Sequence, residues 1–348
     1  MGTTLTETGI LLEKVTRYIR RYVRLTDDQA YTTAAWTLHT WVYRQSTCTP
    51  YLAVMSPVKR SGKTTLLNCL ANLTCEGEVL FDPTAASLFR MIDMAESGPT
   101  LLWDELDFTK PSRPIVAILN SGYKKGGSVP RAMTIEKVLV VKRFPTFCPK
   151  AFGSIGQVLP PTQLDRSIQI HLQRAMKSER VREYDEEEAR GRAAILAWEL
   201  RCWANGYSRP KVRPRRPATL NARQKELWLP LLELAAKAGG EWTARIAGAA
   251  RRLSAEADHV QPDETVNLLT DLRVALGTSD RVFSRNLIQT VQSLDEPAYS
   301  GSATTSMRMM AVFLSANFRV HPKQIRIGTR TGSGYYAADF ADSFARYL

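Results

Sequence analysis

The chain has 348 residues, 44% of them apolar and 23% charged, which suits two or three folded domains and excludes a disordered or collagen-like chain. Its 47 Lys and Arg exceed its 34 Asp and Glu by 13, so a polyanionic partner, above all nucleic acid, stands beside the plainer reading that the charge serves solubility. No apolar run reaches the roughly 20 residues of a membrane span and no secretory signal opens the chain, while five cysteines without a CxxC pair or zinc-spaced histidines suit a reduced, cytoplasmic protein.

Residues 10–46 read as two helices. Ile10, Leu11, Val15, Ile19 and Val23 recur at helical spacing, and a second run covers Ala30 to Tyr43. Tyr51 to Met55 is fully apolar, as in a buried strand. A Gly-bearing turn and an apolar helix from Thr64 to Leu73 follow. A strand is expected at Glu78–Phe81, a helix at Ala85–Ala95, a strand at Thr100–Trp103 and a helix at Ile115–Lys124. This alternation predicts an α/β fold with a mostly parallel sheet. Ser128–Met133 and Val138–Val141 suggest a hairpin, Ala151–Ile155 a strand, and Ile168–Leu172 an edge strand.

A charged helix is expected from about Ser178 to Trp203. Its Asp185 to Glu188 run is answered by Arg182, Arg190 and Arg192 at three- and four-residue spacings, the pattern of a solvated face. Residues 206–223 carry three prolines, six basic residues and no acid, and read as an extended linker, either merely soluble or lying along phosphates. Helices follow at Glu226–Ala238, Glu241–Ala257, Asp263–Leu276, Ser284–Leu294 and Thr305–Asn317. A hairpin with its turn at Arg330–Gly334 and a last helix at Phe340–Leu348 complete a winged-helix-like end.

The strongest motif is Ser56-Pro57-Val58-Lys59-Arg60-Ser61-Gly62-Lys63-Thr64-Thr65, between a buried strand and a helix. That is the setting of a phosphate-binding loop, although Ser56 stands where the usual pattern has Gly. Backbone N–H groups would cradle the phosphates, Lys63 would reach the β- and γ-phosphates, and the Thr64 hydroxyl would bind Mg²⁺. At Leu101-Leu102-Trp103-Asp104-Glu105 an apolar strand delivers two carboxylates, 41 residues after Lys63. Asp104 would hold the Mg²⁺ and Glu105 would activate the attacking water, which favours ATP hydrolysis over phosphorylation of a metabolite.

Ser154, near the end of a strand, is either a γ-phosphate sensor or a buried hydroxyl bonded to backbone, and Asn120 reads as a helix C-cap. Arg166, in Leu164-Asp165-Arg166-Ser167, is either a surface ion-pair member or an arginine finger for a neighbouring subunit. Residues 124–174 hold nine basic side chains against two acidic ones. Arg131, Lys137, Lys142 and Arg143 on the expected hairpin are candidates to track a nucleic-acid strand.

The strings SPVKRSGKTTLL, TLLWDELD, ILNSGYKKGG, PKAFGSIG, LPPTQLDRSIQIHL and IRIGTRTGSGYYAADFADSFARYL resemble an uncharacterised family of P-loop ATPase domains. These occur in phages, plasmids and integrated elements, chiefly of actinobacteria, often beside or fused to a primase. The family is similar to AAA+ ATPases, most like the branch that includes viral replicative and minichromosome-maintenance helicases. The resemblance implies a ring, usually a hexamer, with ATP and Mg²⁺ at subunit interfaces and a hairpin on DNA. No primase domain fits within the chain. Arg190 and Arg192 are candidates for a second sensor arginine.

The expected division is an N-terminal helical segment (1–48), an AAA+-like P-loop core (49–175), a charged helix (176–205), a basic linker (206–223), a helical region (224–280) and a winged-helix-like domain (281–348). The expected activity is that of an ATP-driven DNA helicase or translocase in replication of a mobile element, with a primase or polymerase as partner. A non-motor helicase loader or initiator needs the same motifs. A small-metabolite kinase would need neither Arg166 nor a basic tail.

Overall fold

The fold is taken from a computed structural model, which describes residues 6–56, 59–104, 112–135, 138–155, 159–176, 179, 181–260, 264–295, 297–299, 301–318 and 320–348. The chain divides into two compact units, Met1–Ala257 and Asp258–Leu348.

The first unit is built on a five-stranded sheet. Its strands are β1 (Tyr51–Ser56), β2 (Gly77–Leu80), β3 (Thr100–Trp103), β6 (Lys150–Ile155) and β7 (Ser167–His171), in the order β2-β3-β6-β1-β7. Every neighbouring pair is parallel. Parallel strands buried on both faces need continuous apolar runs, and β1 and β3 are buried throughout. Alternation along the strands sends Leu52, Val54, Leu102 and Ala151 to one face. There they meet α1 (Glu7–Tyr22), α2 (Asp27–Val42), α3 (Lys63–Leu73), α7 (Glu186–Gly206), α8 (Ala222–Ala238) and α9 (Trp242–Val260). Ala53, Met55, Trp103 and Phe152 go to the other face. There they meet α4 (Ala85–Met94), α5 (Arg113–Ser121) and the hairpin of β4 (Ser128–Ile135) and β5 (Val138–Pro145). A one-turn α6 (Pro161–Leu164) precedes β7.

The unit boundary differs from the expected division. The charged helix, the 206–223 stretch and α8 all belong to the first unit. Arg209 from that stretch grips the buried Glu233 of α8 with two guanidinium nitrogens, at 2.5 and 2.9 Å, and Leu220 is buried. The charged helix starts at Glu186 rather than near Ser178, because Asp185 caps it by accepting from Glu188 N at 2.8 Å.

The second unit contains α10 (Glu264–Leu276), β8 (Arg281–Phe283), α11 (Ser284–Gln292), α12 (Met307–Phe318), β9 (Lys323–Ile327), β10 (Arg330–Tyr336) and α13 (Ala341–Tyr347). Its antiparallel sheet runs β8-β10-β9, over a core of Leu268, Leu272, Leu287, Met310, Leu314, Tyr335 and Phe340. The turn falls at Gly328 (φ +61°) rather than within Arg330–Gly334. Gly334 lies inside β10 because a Cβ there would come within 2.2 Å of Ile325 Cδ1 and 2.4 Å of the Val282 carbonyl. Among the described residues, no helix is long and apolar enough to cross a membrane.

Candidate nucleotide site and nucleic-acid interface

β1 ends at Ser56 and α3 opens at Lys63. Pro57 and Val58 lie outside the described residues. Within the described part of the turn, Arg60 (φ +62°) and Gly62 (φ +88°) both take left-handed backbone, and Gly62 forms the N-cap of α3. Lys63 Nζ donates to Ser56 Oγ at 2.9 Å, folding the lysine back over the loop. Thr64 is exposed, Thr65 half-buried and Ser61 buried. Lys59 and Arg60 are exposed, and the Lys59 carbonyl accepts from Arg174 Nη2 at 3.0 Å. The first N–H groups of a helix lack intrahelical partners and carry the positive end of its dipole, so this turn favours an anion.

Asp104 follows β3 and is only 3% exposed. It shares the α3 face of the sheet with Ser56. Leu102 and Val54, two residues earlier on the respective strands, lie in that face's core. β6 runs between β3 and β1. It approaches Asp104 through Gly153, where a Cβ would lie 2.8 Å from Asp104 Oδ1 and 3.0 Å from Leu67 Cδ1. The carboxylate thus occupies the space that any other residue at 153 would fill. Glu105 lies outside the described residues.

Ser154 is fully buried, and alternation puts it with Phe152 on the opposite face from Asp104. Sequence spacing placed Ser154 near the strand ends, and the pleat separates it from the carboxylate's face. Asn120 is within α5, and its Oδ1 accepts from Gln163 Nε2 at 2.8 Å; the C-cap is Gly122.

Arg166 lies at the other end of the sheet. Tyr51 N donates to its carbonyl at 3.0 Å, and Ser167 stands opposite Tyr51 at the start of β1. Ser56 lies five residues after Tyr51, roughly 16 Å along a strand. Arg166 therefore cannot serve the phosphate loop of its own chain. Its guanidinium stands 5.0 Å from the Tyr123 ring centroid, as does that of Arg223, and it also donates to the Thr162 carbonyl. Arg223 donates to Tyr123 Oη at 2.7 Å, Asp165 Oδ2 at 3.0 Å and Glu226 Oε2 at 2.7 Å. Sequence reading missed this cluster, since Tyr123 and Arg223 are a hundred residues apart.

The hairpin is a separate two-stranded sheet, which packs on α4 through Phe144 and Phe89, ring centroids 4.5 Å apart. Its register pairs Arg131 with Lys142 and Pro130 with Arg143. Arg131 and Lys142 therefore share the face that carries Phe144. Arg131 sits over Phe89, and Lys142 pairs with Asp93 at 2.6 Å. Arg143 is on the opposite face, with Leu139 (73% exposed) and Val141 (69% exposed). Lys137 lies outside the described residues. The basic residues are thus divided between two faces, where the sequence suggested one track.

Residues 171–347 match a family described as a protein of unknown function, DUF3631. The match begins at the end of β7, after the phosphate loop and Asp104. An uncharacterised 28.9 kDa protein from the xis 5′ region of Saccharopolyspora erythraea is 29% identical over 181 residues, 51% of this chain and 68% of that protein. Among solved structures, the apo C-terminal region of NrS-1 is similar over 96% of this chain and 76% of its own, at 12% identity and a TM-score of 0.46. JCV helicase with a bound thiazolopyridine ligand is similar over 79% of this chain and 66% of its own, at 16% identity and a TM-score of 0.35.

Proposed function

The chain belongs to the DUF3631 family of unknown function, and from its own residues we propose that it is an ATP-driven DNA helicase or translocase serving replication of a phage or other mobile element. One observation supports the reading: Ser56 and Asp104 lie on the α3 face of the sheet, at the carboxyl ends of the two strands that flank β6, and Lys63 at the start of α3 is bonded to Ser56. Ligands of open α/β sheets bind at that edge.

In this reading the loop and the start of α3 hold the phosphates of ATP. Lys63 exchanges the Ser56 hydroxyl for the β- and γ-phosphates. The Thr64 hydroxyl and the Asp104 carboxylate are hard oxygen donors of the kind Mg²⁺ takes, and the buried Asp104 carboxylate fits such an ion. Held by these two side chains, the ion would supply positive charge against the phosphates. Glu105 accepts the proton of the attacking water. Arg166, remote from its own loop, completes the site of the next subunit in a ring, probed by mixing variants below. Arg143 and the apolar outer face of the hairpin are offered to the strand, with Arg131 and Lys142 behind them. The second unit, a three-stranded antiparallel sheet with helices, serves as a winged-helix-like holder of duplex. A primase or polymerase is the expected partner and the cytoplasm the expected compartment.

The loader or initiator reading has one observation of its own. Lys142 is tied to Asp93 and Arg131 to Phe89, so two of the hairpin's three described cations are engaged.

The test is steady-state ATP hydrolysis with and without single-stranded DNA at two salt concentrations. Strong stimulation that fades with salt is expected, and Lys63→Ala abolishes turnover. Hydrolysis indifferent to DNA moves the protein to the loader reading, and normal turnover by Lys63→Ala overturns the site.

A further inference from the structure

The first helix carries a cationic cleft unrelated to any motif. It encloses about 460 Å³ and is lined by Glu13, Thr16, Arg17, Arg20, Arg21 and Arg182. The first five fall at i, i+3, i+4, i+7 and i+8, a single stripe of α1. Arg182 is brought to it by its own backbone, whose N–H donates to the Arg21 carbonyl at 2.9 Å.

The guanidiniums are in two states. Arg20 lies over the Tyr31 ring, 5.6 Å from its centroid, and pairs with Asp27; Arg21 lies over Tyr22 at 5.9 Å and faces Glu188 at 3.7 Å. Both leave Nε buried without an acceptor among the described residues. Arg17 and Arg182 are exposed, and among the described residues their side chains make no hydrogen bond or ion pair. Glu13, the one acid in the lining, is already held by Arg245 at 2.5 Å. Five guanidiniums against three carboxylates leave this neighbourhood at +2. Such a charge in a cleft attracts anions, and guanidinium forks match phosphate oxygens in pairs. The aromatic rings lie beneath guanidiniums, so no ring face is open for a base to stack on. Recognition is therefore of phosphate and not of base.

We propose that this cleft binds closely spaced phosphates, as a site separate from both the nucleotide loop and the hairpin. Guanidiniums one helical turn apart, roughly 5 Å, can hold neighbouring charges of a single-stranded backbone or of a free polyphosphate. The two sources share one chemistry, and the experiment separates them.

The full chain is used in a Lys63→Ala background, which weakens phosphate capture by the loop and makes the result independent of any ATPase activity. Labelled oligothymidylate is titrated by anisotropy across a salt series, and inorganic tripolyphosphate by calorimetry. Arg17→Ala, Arg182→Ala and the double variant are compared with Arg190→Ala, which removes one cation from an exposed pair on α7. Neither cleft substitution removes a hydrogen bond or ion pair among the described residues, so folding is expected to hold, with thermal melts as the check. The double variant should lower the slope of log K against log salt for the oligonucleotide by about 1.4, from about 0.7 per lost phosphate contact on a single strand. Weakening of both probes supports the site as stated. Weakening of the oligonucleotide alone assigns it to a strand backbone, and weakening of tripolyphosphate alone to a free polyphosphate. No change in either, or an equal change in Arg190→Ala, overturns the proposal.

Discussion

Gly153→Ala tests the site through a single methyl group. The new Cβ would lie 2.8 Å from Asp104 Oδ1 and 3.0 Å from Leu67 Cδ1, whereas ordinary contact begins at 3.4 Å. The carboxylate must therefore retreat by about 0.6 Å and the leucine by about 0.4 Å. Both clashing atoms end side chains, so the strand survives. Overpacking of this size costs about 1–2 kcal/mol, partly offset by the entropy that alanine removes from the unfolded chain. The site is less tolerant, because metal-ligand distances hold within about 0.2 Å. A misplacement of about 1 Å costs on the order of 100-fold in rate, so about 0.6 Å corresponds to roughly tenfold. The assay is ATP turnover against Mg²⁺ concentration, well below the melting temperature. Turnover should fall about tenfold and half-saturation should shift to higher Mg²⁺. Wild-type turnover with unchanged Mg²⁺ dependence, in a folded variant, would refute the placement of Asp104 at the reacting phosphates.

What the sequence makes legible here is local. The apolar β1, the turn and the Gly62-Lys63-Thr64 string sit within 14 residues, and each element supports the next. The salt-bridged face of α7 is equally local: Arg190 meets Glu186 at 2.6 Å and Arg192 meets Glu188 at 2.7 Å, both one turn apart. Two of the misreadings share a cause, which is a partner distant in the chain. Residues 206–223 have linker composition, but Arg209 finds Glu233 and so joins the first unit. The Gly-rich run of β10 reads as a turn, but its glycine at 334 makes room for Ile325 and the Val282 carbonyl. That Gly153 makes room for the Asp104 carboxylate is visible only once β3 lies beside β6. The hairpin's alternation is plain in sequence. Which face becomes internal depends on Phe89 of α4.

Arg166→Ala should be inactive alone and partly active when mixed with Lys63→Ala protein, because each then supplies what the other lacks at a shared site; activity no greater than the sum of the two refutes action in trans. Gly191→Ala should raise stability by about 0.5–1 kcal/mol, since α7 is helical there and nothing lies within 4 Å of the added Cβ; a lower melting temperature would contradict the helix. The last prediction concerns His39, buried on α2 with Nε2 3.0 Å from Thr49 Oγ1. Burial alone lowers its pKa from 6.5 to about 3. Below pH 6.5 the unfolded chain therefore takes up a proton that the native one refuses. The stabilisation is complete above pH 6.5 and is lost as the pH falls towards 3, at about 1.4 kcal/mol per unit, or about 2 kcal/mol by pH 5. His171, lowered chiefly by burial, adds to the loss in the same direction. Urea unfolding at pH 7 and pH 5 should show a smaller loss in His39→Gln than in the wild type, and equal losses would mean that His39 takes up its proton in the folded state.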